Sequence, residues 1–353
     1  MLPQPCATRA DDLYLQACQF VLFHHQASVS LLQRRLRIGY GRAMALLAAM
    51  CGDILECDAD GGNPRILPAA LHGPDRLLPH KLAQAATCLS EAPSMVLAVG
   101  AGMGAVLGLP ERTGDGEAAH PLAARHANGP DLACIASPEG LQQHPASAWG
   151  LYGQWLQACR ATPPHAGLAL LLGWARRLPQ GCFVVTGNVD GHVQKAGFPA
   201  ARVYECHGSL HRLQCSAHCE DRLWPTAWLR PQVDASTGQW LGDLPRCPHC
   251  DALMRPNIRL QDDWHWNAAR SQRQHELLEV WLDSAPQPLV LEVGAGRDDT
   301  ALRRLTQRLH RRGSRLIRIH PHDADIHNPD TIEFALGIRE ALQQIGQHLH
   351  GSQ

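Results

Sequence analysis

The 353-residue sequence carries almost no net charge, −1 at pH 7 from 32 basic and 33 acidic side chains. That excludes a protein that coats nucleic acid by bulk charge, so any DNA contact has to come from a local patch. Long apolar runs are missing too: none approaches the ~20 residues of a membrane span. The first residues, "MLPQPCATRADD", have neither a basic nor an apolar leader segment. A cytoplasmic chain without a membrane partner is the expectation. At 45% hydrophobic and 18% charged residues, the chain can build a large core and at least one further module. Its thirteen cysteines are an odd number without a secretory leader, which points to reduced thiols and a metal rather than disulfides.

Residues 1–67 hold a compact unit. "DLYLQACQFVLFHHQ" has near-helical apolar spacing, Ser28 is placed to cap "VSLLQRRLRI", Gly39 interrupts, and "YGRAMALLAAM" gives a third helix. "DILECDADGGNPRIL" then supplies two short strands around a Gly-Gly-Asn turn. Helix, helix, turn, helix and hairpin describe a winged helix. Arg34, Arg35, Arg37 and Arg42, with Arg65 on the hairpin, put positive charge where a recognition helix and a wing meet DNA. A small helical interaction domain with a solvated basic face is the alternative. Residues 68–93, punctuated by Gly73, Pro74, Pro79 and Pro93, read as a partly helical linker.

A second domain is expected over 94–353. "SMVLAVGAGMGAVLGLP" is a buried strand followed by a glycine-rich turn and a helix start, an arrangement that brings backbone N–H groups to a pyrophosphate. Its spacing, Gly100, Gly102, Gly104 and Gly108, is not the strict dinucleotide fingerprint, and a turn needed only for strand-to-helix packing fits as well. "PLVLEVGAGRDD" and "SRLIRIHP" add strands, and helical stretches alternate with them. The fold class is therefore α/β, a Rossmann-like, doubly wound parallel sheet. In "VVTGNVDGHVQKAGFPAARVYECHGSL" one strand end delivers Asn188 and Asp190, and the next delivers His207. Ligands bind outside the carboxyl ends of parallel strands, so amide, carboxylate and imidazole converge on a site.

Inserted in that sheet, at about 211–254, are two thiol pairs, Cys215-x3-Cys219 and Cys247-x2-Cys250. Each pair clamps one edge of a tetrahedral zinc, and four protein ligands leave no open position, so the metal is structural. His218 and His249 are superfluous as ligands.

Two resemblances rest on these motifs. "ASVSLLQRRLRIGYGRAMALLAAM" and "GGNPRIL" resemble the gamma domain of FtsK-type DNA translocases, a winged helix that reads chromosomal sequence, which implies double-stranded DNA as a partner. Gly41 stands where that family has Asn, and Ala45 and Ala48 where it has polar side chains. From Ser94 to about Ile345, "VGAGMGAVLGLP", "TGNVDG", "HVQKAGF", "ECHGSL", the four cysteines, "RPNI", "VGAG" and "LIRIHP" resemble, in family order, the sirtuins, NAD-dependent protein deacylases with a zinc module.

The sirtuin resemblance implies that His207 is the base for a ribose hydroxyl. Asn188 would hold that ribose or a water, and Asp190 the nicotinamide carboxamide. Gly100, Ala101, Gly102 and Gly104 would cradle phosphates, with Gly294 and Gly296 under the adenosine side. Arg112 takes the place of the family's arginine in "PERTGD", and 112–148 would be the cofactor loop. Gly187 stands where the family has Gln, and Asp262 and Asp263 lie in the segment that pairs with substrate. The implied function is deacylation of an acyl-lysine protein with release of nicotinamide. The alternatives are a catalytically impaired NAD or ADP-ribose sensor that binds DNA, and a peptide-independent NAD hydrolase.

Overall fold

The computed structural model describes residues 12–57, 64–72, 75–105, 135, 137–260, 263–297, 299–325 and 327–351. The chain divides into two compact units, one built from the residues up to Ala92 together with those from Arg315 onward, the other from Pro93 to Ser314.

The first unit opens with α1 (Asp12–Phe23), α2 (Val29–Leu36) and α3 (Tyr40–Met50). Ser28 caps α2 by accepting the Leu31 N–H at 3.2 Å. Arg37 ends it in the left-handed region at φ 52°, and Gly39 opens α3. Strands β1 (Leu55–Glu56) and β2 (Arg65–Ile66) pair antiparallel, with Leu55 opposite Ile66, and their turn lies outside the described residues. Tyr14, Val21, Leu32, Leu46, Met50 and Leu55 form a fully buried core beneath them, so the winged-helix pattern is realised. Arg34, Arg35, Arg37 and Arg65 are exposed and Arg42 is half-buried.

One expectation fails in this unit. Cys51 and Cys57, read as reduced thiols, form a disulfide that ties the end of α3 to the wing. Residues 68–93, expected to be partly helical, hold α4 (Pro68–His72) and α5 (Leu78–Glu91), and α5 buries Lys81, Leu82, Ala85, Ala86 and Leu89. Pro79 sits in the first turn of α5, where its missing N–H costs nothing, so the residue that reads as a break is a start.

The second unit begins with β3 (Met95–Val99), wholly buried because a strand covered on both faces must be apolar throughout. After it come α6 (Pro138–Gln143), α7 (Pro145–Ala161), α8 (Ala166–Ala175), β4 (Cys182–Thr186) and β5 (Val203–Glu205). The end of the stretch read as a cofactor loop is therefore helical. A three-stranded antiparallel sheet follows, formed by β6 (Gly208–Cys215), β7 (Trp224–Pro225) and β8 (Met254–Ile258) in the order β7-β6-β8. Trp149 of α7 seats this sheet by donating its indole N–H to the Met254 carbonyl at 3.0 Å within a shared apolar core. The unit ends with α9 (Ala269–Ser284), β9 (Leu289–Val293) and α10 (Thr300–Arg311). Strands β9, β3, β4 and β5 lie in that order, all parallel. Glu292, inside β9, is fully buried but not unpaired: Thr306 Oγ1 donates to it at 2.6 Å and Arg303 Nε lies 3.3 Å away.

The chain then returns to the first unit with the parallel pair β10 (Leu316–Ile319) and β11 (Ile332–Phe334) and with α11 (Ile338–Gly351). Helix α5 packs on α11 and β11. Gln19 of α1 donates to the Thr331 carbonyl at 3.3 Å, and the buried Lys81 reaches Asp75 at 2.7 Å. Among the described residues, no helix is long and apolar enough to cross a membrane.

Candidate active site

The site grows from three strand ends in the second unit. Beyond β3, the turn 100–104 is pressed against the turn after β9. Gly100 donates its N–H to the Val293 carbonyl at 2.9 Å and Gly102 donates to Gly294 at 2.8 Å. A Cβ on Gly100 would stand 2.4 Å from the Ala295 Cα, and one on Gly294, which has φ +67°, would stand 2.8 Å from the Met103 nitrogen. No side chain fits between the two turns, which fixes glycine at these positions whether or not a phosphate binds.

Gly104 differs. A methyl there would meet Asn188 Nδ2 and Asp190 Oδ2 at 3.9 Å each, ordinary contact distances, so packing does not lock glycine in at this position and the two polar side chains stand beside it. Their positions are set from β4. Thr186 Oγ1 donates to the Val99 carbonyl at 2.9 Å and accepts the Asn188 N–H at 3.0 Å, while Asn188 Nδ2 donates to the Gly100 carbonyl at 3.0 Å. Asp190 is buried. Its Oδ1 accepts the His192 N–H at 2.9 Å, and His211 Nε2 lies 2.8 Å from its backbone carbonyl. Thr186, His192 and His211 thus aim the amide and the carboxylate, a supporting role that motif reading misses because none of the three carries the chemistry.

Half-buried His207 follows β5, one strand over. The Cys206 N–H donates to the Thr186 carbonyl at 3.0 Å and the Leu210 N–H to Val189 at 2.9 Å, so the segment bearing His207 is bonded on both sides to the segment bearing Asn188 and Asp190. Cys206 is no nucleophile: burial, with the charge of Asp299 second, pushes its thiol up to about 12.

Asp299 is the residue that sequence reading missed. It caps α10, accepting the Leu302 N–H on Oδ1 at 3.3 Å, and its carboxylate lies against Gly187 and interacts with His207. Burial raises its pKa, opposed by the Leu302 N–H and by the charge of His207. An Asp before "TALRRL" signals a helix cap, but nothing local in the sequence signals a neighbour more than a hundred residues earlier.

Of the other residues, Ala101 is exposed on the glycine turn, and Gly296 is half-buried and accepts the Asp299 N–H at 3.1 Å. Arg112, Gly108 and Asp262 lie outside the described residues. Asp263 is buried in an ion pair with Arg255 and accepts the Leu260 and His265 N–H groups. Its carboxylate therefore shapes the loop after β8 from within.

Cys215, Cys219, Cys247 and Cys250 place their sulfurs within 4.8 Å of one another, with Cys215–Cys250 and Cys219–Cys247 both at 3.5 Å. With Zn–S bonds of ~2.3 Å, tetrahedral geometry separates sulfurs by roughly 3.8 Å, so this set fits a structural zinc. His249 groups with Cys219 and Glu220, but the four-thiolate set is already closed.

Known proteins agree with this arrangement. A family model described as "Sir2 family" matches residues 100–277, and one described as "Ftsk gamma domain" matches 8–67. The chain is 29% identical over 182 residues to NAD-dependent protein deacylase 2 of Pseudomonas aeruginosa, covering 52% of this chain and 66% of that one. It is 46% identical over 55 residues to DNA translocase SftA of Bacillus subtilis, covering 16% of this chain and 6% of that one. A solved structure described as "Structural Basis for the Mechanism and Regulation of Sir2 Enzymes" superposes with a TM-score of 0.57 at 21% identity, over 77% of this chain and 99% of the other, a likeness of fold. The chain spans about half to two-thirds of the length of the curated deacylases it matches. With a Sir2 model matching half its length, this chain belongs to the Sir2 family and carries an FtsK gamma domain at its N-terminus.

Proposed function

We propose that this chain is an NAD-dependent protein-lysine deacylase that releases nicotinamide, and that its winged helix directs it to double-stranded DNA. One observation carries the enzymatic reading. An amide, a carboxylate and an imidazole, those of Asn188, Asp190 and His207, stand at two hydrogen-bonded strand ends beside the glycine turn that follows β3.

The donor set fits NAD. The side-chain Nδ2 of Asn188 and Oδ2 of Asp190 both stand beside Gly104, at the end of the glycine turn. When bound, NAD supplies the glycosidic bond whose cleavage frees nicotinamide and the sugar carbon that takes the acyl oxygen. His207 takes the proton of a ribose hydroxyl on its ring nitrogen, a task suited to a group that titrates near neutrality. Asn188 orients that sugar through its amide. Asp190, held rigid through His192 and His211, accepts from the carboxamide N–H and fixes the plane of the leaving group. The four cysteines hold zinc away from this chemistry, as a closed structural site.

For the winged helix, the exposed Arg34, Arg35, Arg37 and Arg65 support a backbone-contacting role. The outward positions of α3 are Tyr40, Gly41, Met44 and Ala48, which offer few base-reading groups. Phosphate contacts supply the affinity, and the target sequence of the translocases is not carried over.

Incubation with NAD and a pool of acyl-lysine peptides, followed by mass spectrometry, tests the reading. Deacylated peptide with matching nicotinamide supports it. Nicotinamide without peptide change replaces it with NAD hydrolysis, and neither product overturns it.

A further inference from the structure

The family pattern places a long polar side chain before the Asn of the site, where this chain has Gly187. The space is not left over. A Cβ on Gly187 would stand 2.7 Å from Asp299 Oδ2 and 3.6 Å from Oδ1, so the carboxylate of Asp299, arriving from the start of α10, fills it. The same carboxylate stands beside the segment that bears His207: Gly187 follows Thr186, whose carbonyl accepts the Cys206 N–H at 3.0 Å, and the charges of Asp299 and His207 act on each other.

We propose that Asp299 is the positioning partner of His207, made possible by the glycine at 187. The carboxylate orients the imidazole and stabilises the charge it gains when it takes the ribose proton. The proposal rests on the base role of His207 given above. The proton moves from the ribose hydroxyl to the imidazole nitrogen, and Asp299 stays ionised and receives none. A carboxylate that holds a histidine and steadies its cationic form is a general device for making imidazole a competent base.

Among the described residues, several charged groups near this pair have partners of their own. From β9, Glu292 is taken by Thr306 and Arg303. From α10, Arg303 also donates to the Ala295 carbonyl at 2.9 Å. From β5, Glu205 is buried in a pair with Arg270 of α9. Arg259, beyond β8, donates its backbone N–H to the His207 carbonyl at 2.9 Å and adds positive charge near Cys206. Asp190, with Oδ2 near Gly104 and Oδ1 taken by the His192 N–H, serves the other side of the site, and Asp299 is the carboxylate seated at Gly187 beside the His207 segment. Its N-cap bond to Leu302 holds it in place without using both oxygens.

The test reads the pair directly. In the full chain with isotope-labelled histidine, the His207 ring resonance is identified by its absence from His207→Ala and is titrated by NMR. Asp299→Asn keeps the cap and removes the charge. An opposite charge at this range shifts a pKa by ~1–3 units, so the His207 midpoint falls by about one pH unit in the variant. The acid limb of the pH–rate profile for nicotinamide release moves by the same amount. An unchanged NMR midpoint overturns the proposal. Should Asp299→Asn fail to fold, Gly187→Gln displaces the carboxylate from its seat and takes the same readout. A midpoint that moves in a protein without NAD turnover supports the pairing and overturns the catalytic reading of His207, which keeps the two failures apart.

Discussion

Asp299 Oδ2 lies 2.7 Å from the point where a side chain on Gly187 would begin, so each residue sets what the other position tolerates. Gly187→Ala forces the carboxylate aside. Because the obstacle is the movable end of a side chain, the cost falls at the low end of overpacking, about 1 kcal/mol. In an Asp299→Ala background the same change meets no obstacle and costs much less. Denaturant unfolding of the four proteins in this cycle checks the coupling; equal losses in both backgrounds contradict it.

Asp299 also makes stability depend on pH in a particular direction. Burial raises its folded pKa above the unfolded value of ~3.9, so between the two values the native state binds more protons than the unfolded chain. Stability from this group falls as pH rises through that window, and the cost is complete above it. Asparagine cannot ionise and still caps α10. Asp299→Asn is therefore more stable than wild type near neutral pH, and the difference closes below pH ~4. Urea unfolding at acid and neutral pH checks this; a variant less stable at neutral pH contradicts it.

The four clustered thiols predict that metal analysis will find about one zinc per chain and that Cys247→Ser will lose it. Zinc binding energy is folding energy at such sites, so the core shared by α7 and the β7-β6-β8 sheet loosens with it. Unaltered zinc content in the variant contradicts the four-cysteine site.

The sheet was legible in the sequence because its strands are short apolar runs that end in glycine, and Asn188, Asp190 and His207 were legible as the polar residues just past those ends. The winged helix was legible from Ser28, Gly39 and the Gly-Gly-Asn sequence between the two short strands. Helix α5 was legible only as a partly helical stretch: its start at Pro79 and the burial of Lys81 against Asp75 carry no local signal. Asp299 was illegible for a different reason. Its role comes from a vacancy at Gly187, and a vacancy acquires a meaning only when the fold brings a second residue to it. The same is true of Cys51 and Cys57, whose spacing resembles no metal motif and whose pairing follows from where α3 ends and the wing begins.

If the exposed arginines contact phosphates, Arg35→Glu with Arg37→Glu weakens binding to duplex DNA of any sequence. Each lost phosphate contact lowers the slope of log K against log salt by about 0.9. Fluorescence anisotropy over a salt series measures both quantities. Unchanged affinity and slope contradict the proposed interface and leave the first unit as a protein-interaction domain.

Nicotinamide release by the wild-type chain beside His207→Ala decides whether the strand-end site cleaves NAD through His207. With circular dichroism and zinc content unchanged, removal of the base lowers the rate by at least ~10²-fold. Equal release by the two proteins contradicts the account.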